Sequence, residues 1–86
     1  MSLKWNEITR DHVLQAIWKH DNSVTEGYAR STFLRHEGRL YPAKHIRALA
    51  YEVAFGGPVE RSKFSGGRET VVFFENLGFE TVHRPA

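Results

Sequence analysis

The stretch that decides the fold is GRLYPAKHIRALAY, residues 38–51. It reads as the end of a strand that runs directly into a helix. Pro42 fits the first helical position, because the N–H that proline lacks has no intrahelical partner there. Gly56 and Gly57 are suited to a left-handed cap, and Pro58 just beyond cannot continue the helix. The pattern therefore predicts a helix that begins at Pro42 and ends before Gly56.

This helix has two distinct faces when its residues are placed at about 100° intervals. The apolar face consists of Ala43, Ile46, Leu49, Ala50 and Val53. Lys44, Arg47 and Tyr51 fall together on another face, where two cations and an aromatic hydroxyl could hold phosphates and reach base edges from a groove. The alternative is an ordinary solvated surface, and spacing alone leaves both open.

A first helix is predicted upstream. Thr9 is a suitable N-cap, and Asp11 places a negative charge in the first turn. The apolar residues that follow have helical spacing up to Lys19-His20, and we expect Trp18 in the core. Asp21-Asn22-Ser23 should end the helix, since these side chains compete for backbone hydrogen bonds.

The middle of the chain predicts a β-hairpin. Residues 32–36 favour a strand, Glu37-Gly38 is a turn signal, and residues 39–41 return as a second strand. Residues 21–27 are interpreted as a loop, while residues 28–31 stay ambiguous.

A third helix and a final strand follow. Ser65-Gly66-Gly67 leads into residues 68–77, and Gly78 stops that helix. The predicted core face of this helix comprises Val71, Phe73, Phe74 and Leu77. Residues 79–83 alternate apolar and polar side chains, as in a half-buried strand. The order helix–hairpin–helix–helix–strand predicts an α+β fold in one domain, residues 1–86, with frayed ends at 1–4 and 84–86. A winged-helix-like arrangement would accommodate this order.

Composition narrows the class of protein. The chain has 86 residues, a net charge of +2 and no Cys, which excludes disulfides and thiolate metal sites. No apolar run is long enough to span a bilayer, so the expected setting is cytoplasmic, without a membrane partner. Between Arg30 and Arg68 the chain carries eight Lys and Arg against three Glu, a local charge of +5 that would favour an anionic partner.

The Ser65-Gly66-Gly67-Arg68 turn is a second candidate for anion binding. Glycines at a helix N-terminus let backbone N–H groups approach a phosphate, and Lys63 and Arg68 add positive charge. The alternative is ordinary helix entry with Ser65 as the cap.

Other chemistries have weaker support. The five His residues show no metal-ligand spacing, so neither a metal nor another cofactor is expected. Glu52 and Glu60 could be assembled with residues 61–63 into a nuclease-like set, but no carboxylate pair has a distinctive metal spacing. We find no nucleophile elbow and no P-loop.

Three spaced segments carry a resemblance: YPAKHI at 41–46, FSGG at 64–67 and LGFE at 77–80. Together with residues 8–13 they resemble the amino-terminal domain of McrA-type HNH restriction endonucleases that act on modified DNA, whose pattern is Y-P-P-K-x-I, F-S-G-G and L-G-F-E. The resemblance implies a DNA-associated accessory module without the nuclease. Ala43 replaces the second Pro of the pattern, and His45 stands where small residues are common.

The sequence therefore predicts a non-catalytic module that binds double-stranded DNA, modified or not, in restriction or defence. The predicted nucleic-acid contacts are Arg39, Tyr41, Lys44, His45, Arg47, Tyr51, Lys63, Ser65, Gly66, Gly67 and Arg68, with Tyr41, His45 and Tyr51 placed for bases or sugars. Reversing the charges of Lys44 and Arg47 should abolish duplex binding with little change in thermal stability. A module that binds an acidic protein surface is the main alternative, and an enzyme using Glu52 or Glu60 is the third.

Overall fold

The computed structural model describes residues 4–22, 32–64 and 66–83. Within them, three helices and a three-stranded sheet form the α+β fold that the sequence predicts. In chain order the elements are α1 (Arg10–Asp21), β1 (Thr32–His36), β2 (Arg39–Pro42), α2 (Ala43–Phe55), α3 (Arg68–Asn76) and β3 (Glu80–His83), with 3-10 turns at Trp5–Glu7 and Arg61–Lys63. The predicted loop at 23–27, the ambiguous segment 28–31, Ser65 and the ends at 1–3 and 84–86 lie outside the described residues.

The sheet is antiparallel, with strand order β2-β1-β3. The predicted hairpin is confirmed: His36 pairs with Arg39, and both residues between them have positive φ, 50° at Glu37 and 78° at Gly38. A turn with two positive φ angles matches the twist of the flanking strands. The final strand pairs with β1, so β1 is central in the sheet. The winged-helix arrangement and the single domain stay predictions.

The predicted cap of α1 is confirmed. The Thr9 hydroxyl accepts a hydrogen bond from the His12 backbone N–H at 3.4 Å, and the His12 ring nitrogen Nδ1 accepts one from the Thr9 N–H at 3.0 Å. Two helix-terminal donors are satisfied in this reciprocal way. The helix continues through Asp21, one residue beyond the expected end, and Asn22 caps it.

Pro42 serves two elements at once. It is the last residue of β2 and the N-cap of α2, with φ −64° and ψ 112°, so the first helical residue is Ala43 and the expected start was one residue early. The predicted end is confirmed: Gly56 has φ +77°, and its N–H donates to the Glu52 carbonyl. The strand-to-helix junction therefore has no intervening loop.

The end of α3 is joined to the start of α1. Gly78 has φ +84° and the N–H of Phe79 donates to the Phe74 carbonyl, a Schellman arrangement that confirms the predicted stop. Arg10 Nη1 donates to the carbonyls of Leu77 and Gly78 at 3.0 and 3.1 Å. Its guanidinium also lies 4.2 Å from the centroid of the Phe79 ring. This contact connects the start of α1 with the turn between α3 and β3.

The core lies around α2, which packs on α1, on β1 and β2 and on α3. Of the predicted apolar face of α2, Ala43, Ile46 and Ala50 are buried, while Leu49 and Val53 are half-buried. In α3, Phe74 is buried, and the sequence missed Thr70, which is also fully buried. The buried apolar residues of this core are Ile8, Val13, Ala16, Ile17, Leu34, Tyr41, Ala43, Ile46, Ala50, Phe74 and Phe79.

The expectation that Trp18 belongs to the core is wrong, because Trp18 is 66% exposed. Residues of a helix are about 100° apart, so Trp18 points about 140° away from the buried Val13. Size and hydropathy suggested burial, but the direction of the side chain on α1 prevents it. No described helix is long and apolar enough to cross a membrane.

Candidate nucleic-acid interface

Lys44, Arg47 and Tyr51 lie along one side of α2, as their spacing requires, but this side is not a solvated basic surface. Arg47 is 2% exposed, because the first 3-10 turn and α3 pack over it. Tyr51 is half-buried, with its ring 4.9 Å from that of Trp5 and 4.6 Å from that of Phe55. The three side chains therefore do not form the expected open stripe, because Arg47 is buried and Lys44 and Tyr51 are both half-buried.

The Arg47 guanidinium is enclosed by aromatic rings. Its Cζ lies 4.0 Å from the ring centroid of Trp5, and 4.9 Å from those of both Phe64 and Phe73. A cation over an aromatic face is attracted by the ring quadrupole. We call the set formed by Arg47, Trp5, Phe64 and Phe73 the aromatic enclosure.

Two polar contacts hold the same guanidinium to α3. Arg47 Nη1 donates to Thr70 Oγ1 at 2.9 Å, and Nη2 donates to Glu69 Oε1 at 3.0 Å. Burial lowers the pKa of Arg47, while the hydrogen bond and the charge of Glu69 oppose that shift. An Arg side chain keeps its proton in proteins, so a buried cation joins α2 to α3.

Lys44 connects the start of α2 with the glycine turn before α3. Its ammonium nitrogen is 5.3 Å from the centroid of the Phe64 ring. A Cβ placed on Gly66 would lie 3.2 Å from Cδ and 3.3 Å from Cβ of Lys44, so only a glycine lets the backbone approach this closely without a shift. Two segments 22 positions apart in the sequence therefore meet at this contact.

The N-terminus of α3 completes this group. Gly67 is its N-cap and makes no side-chain cap hydrogen bond, and Arg68 and Lys63 are exposed. We call Lys44, Lys63, Gly66, Gly67 and Arg68 the glycine-turn cluster. Ser65 was predicted as a further contact and lies outside the described residues.

Arg39, Tyr41 and His45 belong to a different group. Tyr41 is 4% and His45 is 7% exposed, so two side chains that were expected to face bases or sugars are buried. The Tyr41 hydroxyl donates to Asp21 Oδ2 at 3.1 Å, and Arg39 Nη1 lies 3.7 Å from the same oxygen. The His20 ring lies between the two buried rings, with its centroid 5.4 Å from that of Tyr41 and 5.6 Å from that of His45.

Electrostatics shows what Tyr41 does in this group. Burial raises the pKa of Tyr41, and the hydrogen bond to Asp21 and the Asp21 charge raise it further, against an opposing effect of Arg39. The phenol therefore stays protonated at neutral pH and donates a hydrogen bond that ties β2 to the end of α1. Arg39 itself is exposed.

The profile of the ScoMcrA-like N-terminal head domain matches residues 6–83. The chain belongs to this family. The resemblance carried by the YPAKHI, FSGG and LGFE segments is thereby confirmed.

A solved structure supports the same assignment. The head domain is 33% identical to the Type IV phosphorothioation-dependent restriction endonuclease ScoMcrA over 93% of its own length, with a TM-score of 0.67. It spans 14% of that chain. No curated protein matches the head domain. The similarity therefore concerns the N-terminal part of a restriction enzyme and connects this domain with restriction.

Sequence reasoning missed two neighbours of the glycine-turn cluster. Thr32 and His83 line a cavity of about 260 Å³ together with Gly67, Arg68 and Val71. The Thr32 hydroxyl lies 3.4 Å from His83 Nδ1. The pairing of β3 with β1 places them there, and no sequence signal predicted which strand β3 would join. Among the described residues, no group of His, Asp or Glu side chains could hold a metal ion.

Proposed function

We propose that the head domain binds double-stranded DNA through the glycine-turn cluster and supplies this contact to a restriction system without performing catalysis itself. The observation that carries the proposal is the close approach of Lys44 to Gly66. It brings a cationic side chain beside the N-terminus of α3, where backbone N–H groups and the helix dipole favour an anion.

The chemistry of the cluster suits a phosphate backbone better than a base edge. Lys44, Lys63 and Arg68 supply cations, while Gly66 and Gly67 allow close backbone approach. Contacts of this kind position a protein on duplex DNA without reading its sequence. Arg39, although exposed, is engaged with Asp21 and is at most a flanking contact. The module would therefore contribute affinity, and any preference for modified DNA would come from other contacts.

Membership in the head-domain family supports a DNA-related role. The similar enzyme ScoMcrA is a restriction endonuclease whose action depends on phosphorothioation. DNA is the substrate of restriction. An accessory domain with a cationic cluster could therefore contribute to binding this substrate.

The test is a double charge reversal, Lys44→Glu with Arg68→Glu. Each lost phosphate contact should reduce the slope of log affinity against log salt by about one, so the slope should fall by roughly two. The measurement is a titration of labelled duplex, with and without modified cytosine, at two salt concentrations.

The charge-matched control is Lys4→Glu with Lys19→Glu, which alters the net charge equally at two exposed sites elsewhere. Only the cluster variant should lose duplex affinity and salt slope. Equal losses of duplex affinity in both double variants would show that net charge alone governs binding. If the wild-type protein does not bind duplex DNA, the proposal is refuted directly.

A second candidate function is protein binding, which the exposed Trp18 favours. Trp18 lies in a groove of about 380 Å³ between α1 and α2, with Val53 as its apolar neighbour and Lys19 and Glu52 beside it. A protein segment that fits this groove would place one apolar side chain against Trp18 and Val53. An acidic and a basic residue on either side of it would face Lys19 and Glu52. Trp18→Ala should abolish such an interaction and leave duplex affinity unchanged.

A further inference from the structure

A separate cleft opens between the first 3-10 turn and α3. Its volume is about 490 Å³, within the usual range of ligand pockets. One face of α3 and its C-cap form one side, with residues Glu69, Val72, Phe73, Asn76 and Leu77 at spacings of three and four. Trp5, Asn6 and Ile8 form the other side, and the Arg47 guanidinium lies between the two.

This cleft is lined by both aromatic or apolar residues and polar residues. Trp5 and Phe73 supply aromatic surface. Val72 on α3 adds apolar surface and is 40% exposed. Asn6 and Asn76 are exposed and line the cleft, so their amides add both hydrogen-bond donors and acceptors. Glu69 adds a carboxylate.

This combination selects a flat heterocycle over a phosphate. Aromatic and apolar walls contact the faces of a ring, while amide and carboxylate groups match the hydrogen-bonding edges of adenine, cytosine and guanine. Glu69 and Arg47, the two charged groups that line the cleft, form an ion pair with each other at 3.0 Å, so the cleft offers no unpaired positive charge to a phosphate. Pockets with mostly apolar walls and a few convergent polar groups are typical small-molecule sites.

The cleft adjoins the glycine-turn cluster through Phe64. The ammonium of Lys44 lies 5.3 Å from the centroid of the Phe64 ring, and the Arg47 guanidinium, which lines the cleft, lies 4.9 Å from the same centroid. Lys44 and Arg47 thus both contact one buried ring, which places the glycine-turn cluster next to the cleft.

We propose that this cleft, lined by Trp5, Asn6, Glu69, Val72, Phe73 and Asn76, accepts a single unstacked nucleobase. The proposal rests on the proposed DNA binding and adds what the cleft would recognise. A base inside a paired duplex cannot reach it, so the occupant is a base that is flipped out, bulged or single-stranded.

The first experiment separates base from phosphate. Isotope-labelled protein is titrated with uncharged nucleosides and, separately, with inorganic phosphate, while backbone amide shifts are recorded. Nucleosides should shift residues 5–8 and 69–77, and phosphate should shift residues 66–68. Nucleoside shifts that are absent, or that avoid the cleft, would overturn the proposal.

The second experiment measures the affinity of the protein for a duplex that carries a one-nucleotide bulge and for the same duplex fully paired. A base–aromatic contact predicts roughly tenfold tighter binding to the bulged duplex. Asn76→Ala should reduce that preference about threefold, the typical effect of one lost hydrogen bond. Glu75→Ala is the matched control, because Glu75 is the exposed neighbour of Asn76 outside the cleft, and it should leave the preference intact.

The substitution Val72→Lys distinguishes base binding in the cleft from general electrostatic attraction of DNA. It adds a positive charge, so a surface that merely attracts DNA would bind both duplexes more tightly. A base-binding cleft would instead lose nucleoside binding and the preference for the bulge, because the apolar wall is replaced by a charge. If the wild-type protein binds nucleosides but no duplex, the proposed DNA binding is refuted and the base-binding cleft is supported. If it binds paired and bulged duplexes equally and binds no nucleoside, only the cleft proposal is refuted.

Discussion

Arg47 in the aromatic enclosure and Trp18 in the groove between α1 and α2 differ in exposure in the opposite sense to their hydropathy. Arg47 is charged and 2% exposed, whereas Trp18 is apolar and 66% exposed. Arg47 lies among three aromatic rings and two hydrogen-bond acceptors on α3. Trp18 lies at a groove between α1 and α2.

The difference shows that partners decide burial more strongly than hydropathy does. A buried cation is tolerated when hydrogen bonds and rings replace water around it, and the long apolar stem of an Arg packs like a hydrophobic side chain. An apolar side chain stays exposed when its helix points it away from the core. The first region therefore holds the fold together, and the second is available for contacts with other molecules.

The largest expected effect belongs to Arg47→Ala, which should lower the free energy of unfolding by about 3 kcal/mol, because it empties the aromatic enclosure and removes the link to α3. Chemical denaturation measures this change in the free energy of unfolding. Arg47→Met should be less damaging, since it refills the volume with an apolar side chain. A loss below about 1 kcal/mol for Arg47→Ala would contradict a structural role for the enclosure.

A smaller effect is expected for Thr70→Val, which removes the hydroxyl that accepts from Arg47. The loss should be about 1–2 kcal/mol, the usual range when a buried donor loses its partner. In the Arg47→Met background the same substitution should be neutral or stabilising, because the fully buried hydroxyl then lacks that donor. Additive losses in this double-mutant cycle would mean that the two side chains are not coupled.

The smallest effect on stability is expected for Trp18→Ala, less than about 1 kcal/mol, because most of the side chain already contacts water. Trp5→Ala is the matched substitution, and it should lower stability by about 3 kcal/mol because Trp5 packs on Arg47, Tyr51, Phe64 and Phe73. Thermal or chemical unfolding of the two variants gives the comparison. Similar losses for both would remove the distinction between the two regions.

The Arg47 environment also changes the expectation for charge reversal drawn from the sequence. Lys44→Glu with Arg47→Glu was expected to spare stability, but a carboxylate among the aromatic rings would sit beside Glu69 without a cation. A loss of DNA binding in that variant would therefore not separate a lost contact at Lys44 from unfolding. Arg68 replaces Arg47 in the test of the glycine-turn cluster for this reason.

Several parts of the fold and site follow from local sequence. The capping box at Thr9, the turn at Glu37-Gly38 and the stops at Gly56 and Gly78 depend on residues within a few positions of each other, so their chemistry is visible in the sequence. Lys44 and the turn at Gly66-Gly67 were also identified as candidates separately. Their contact was not, because it joins positions 22 residues apart.

The sequence by itself determined the order of elements, the ends of the helices and the family, because these depend on short-range capping, turn geometry and spaced motifs. Only the tertiary structure decided which faces are covered. At about 100° per residue Arg47 lies roughly 60° from the buried Ala50, close enough to the core for α3 and the first 3-10 turn to enclose it. Burial is a property of neighbours distant in the chain, and those neighbours made Arg47 structural and left Trp18 at the surface.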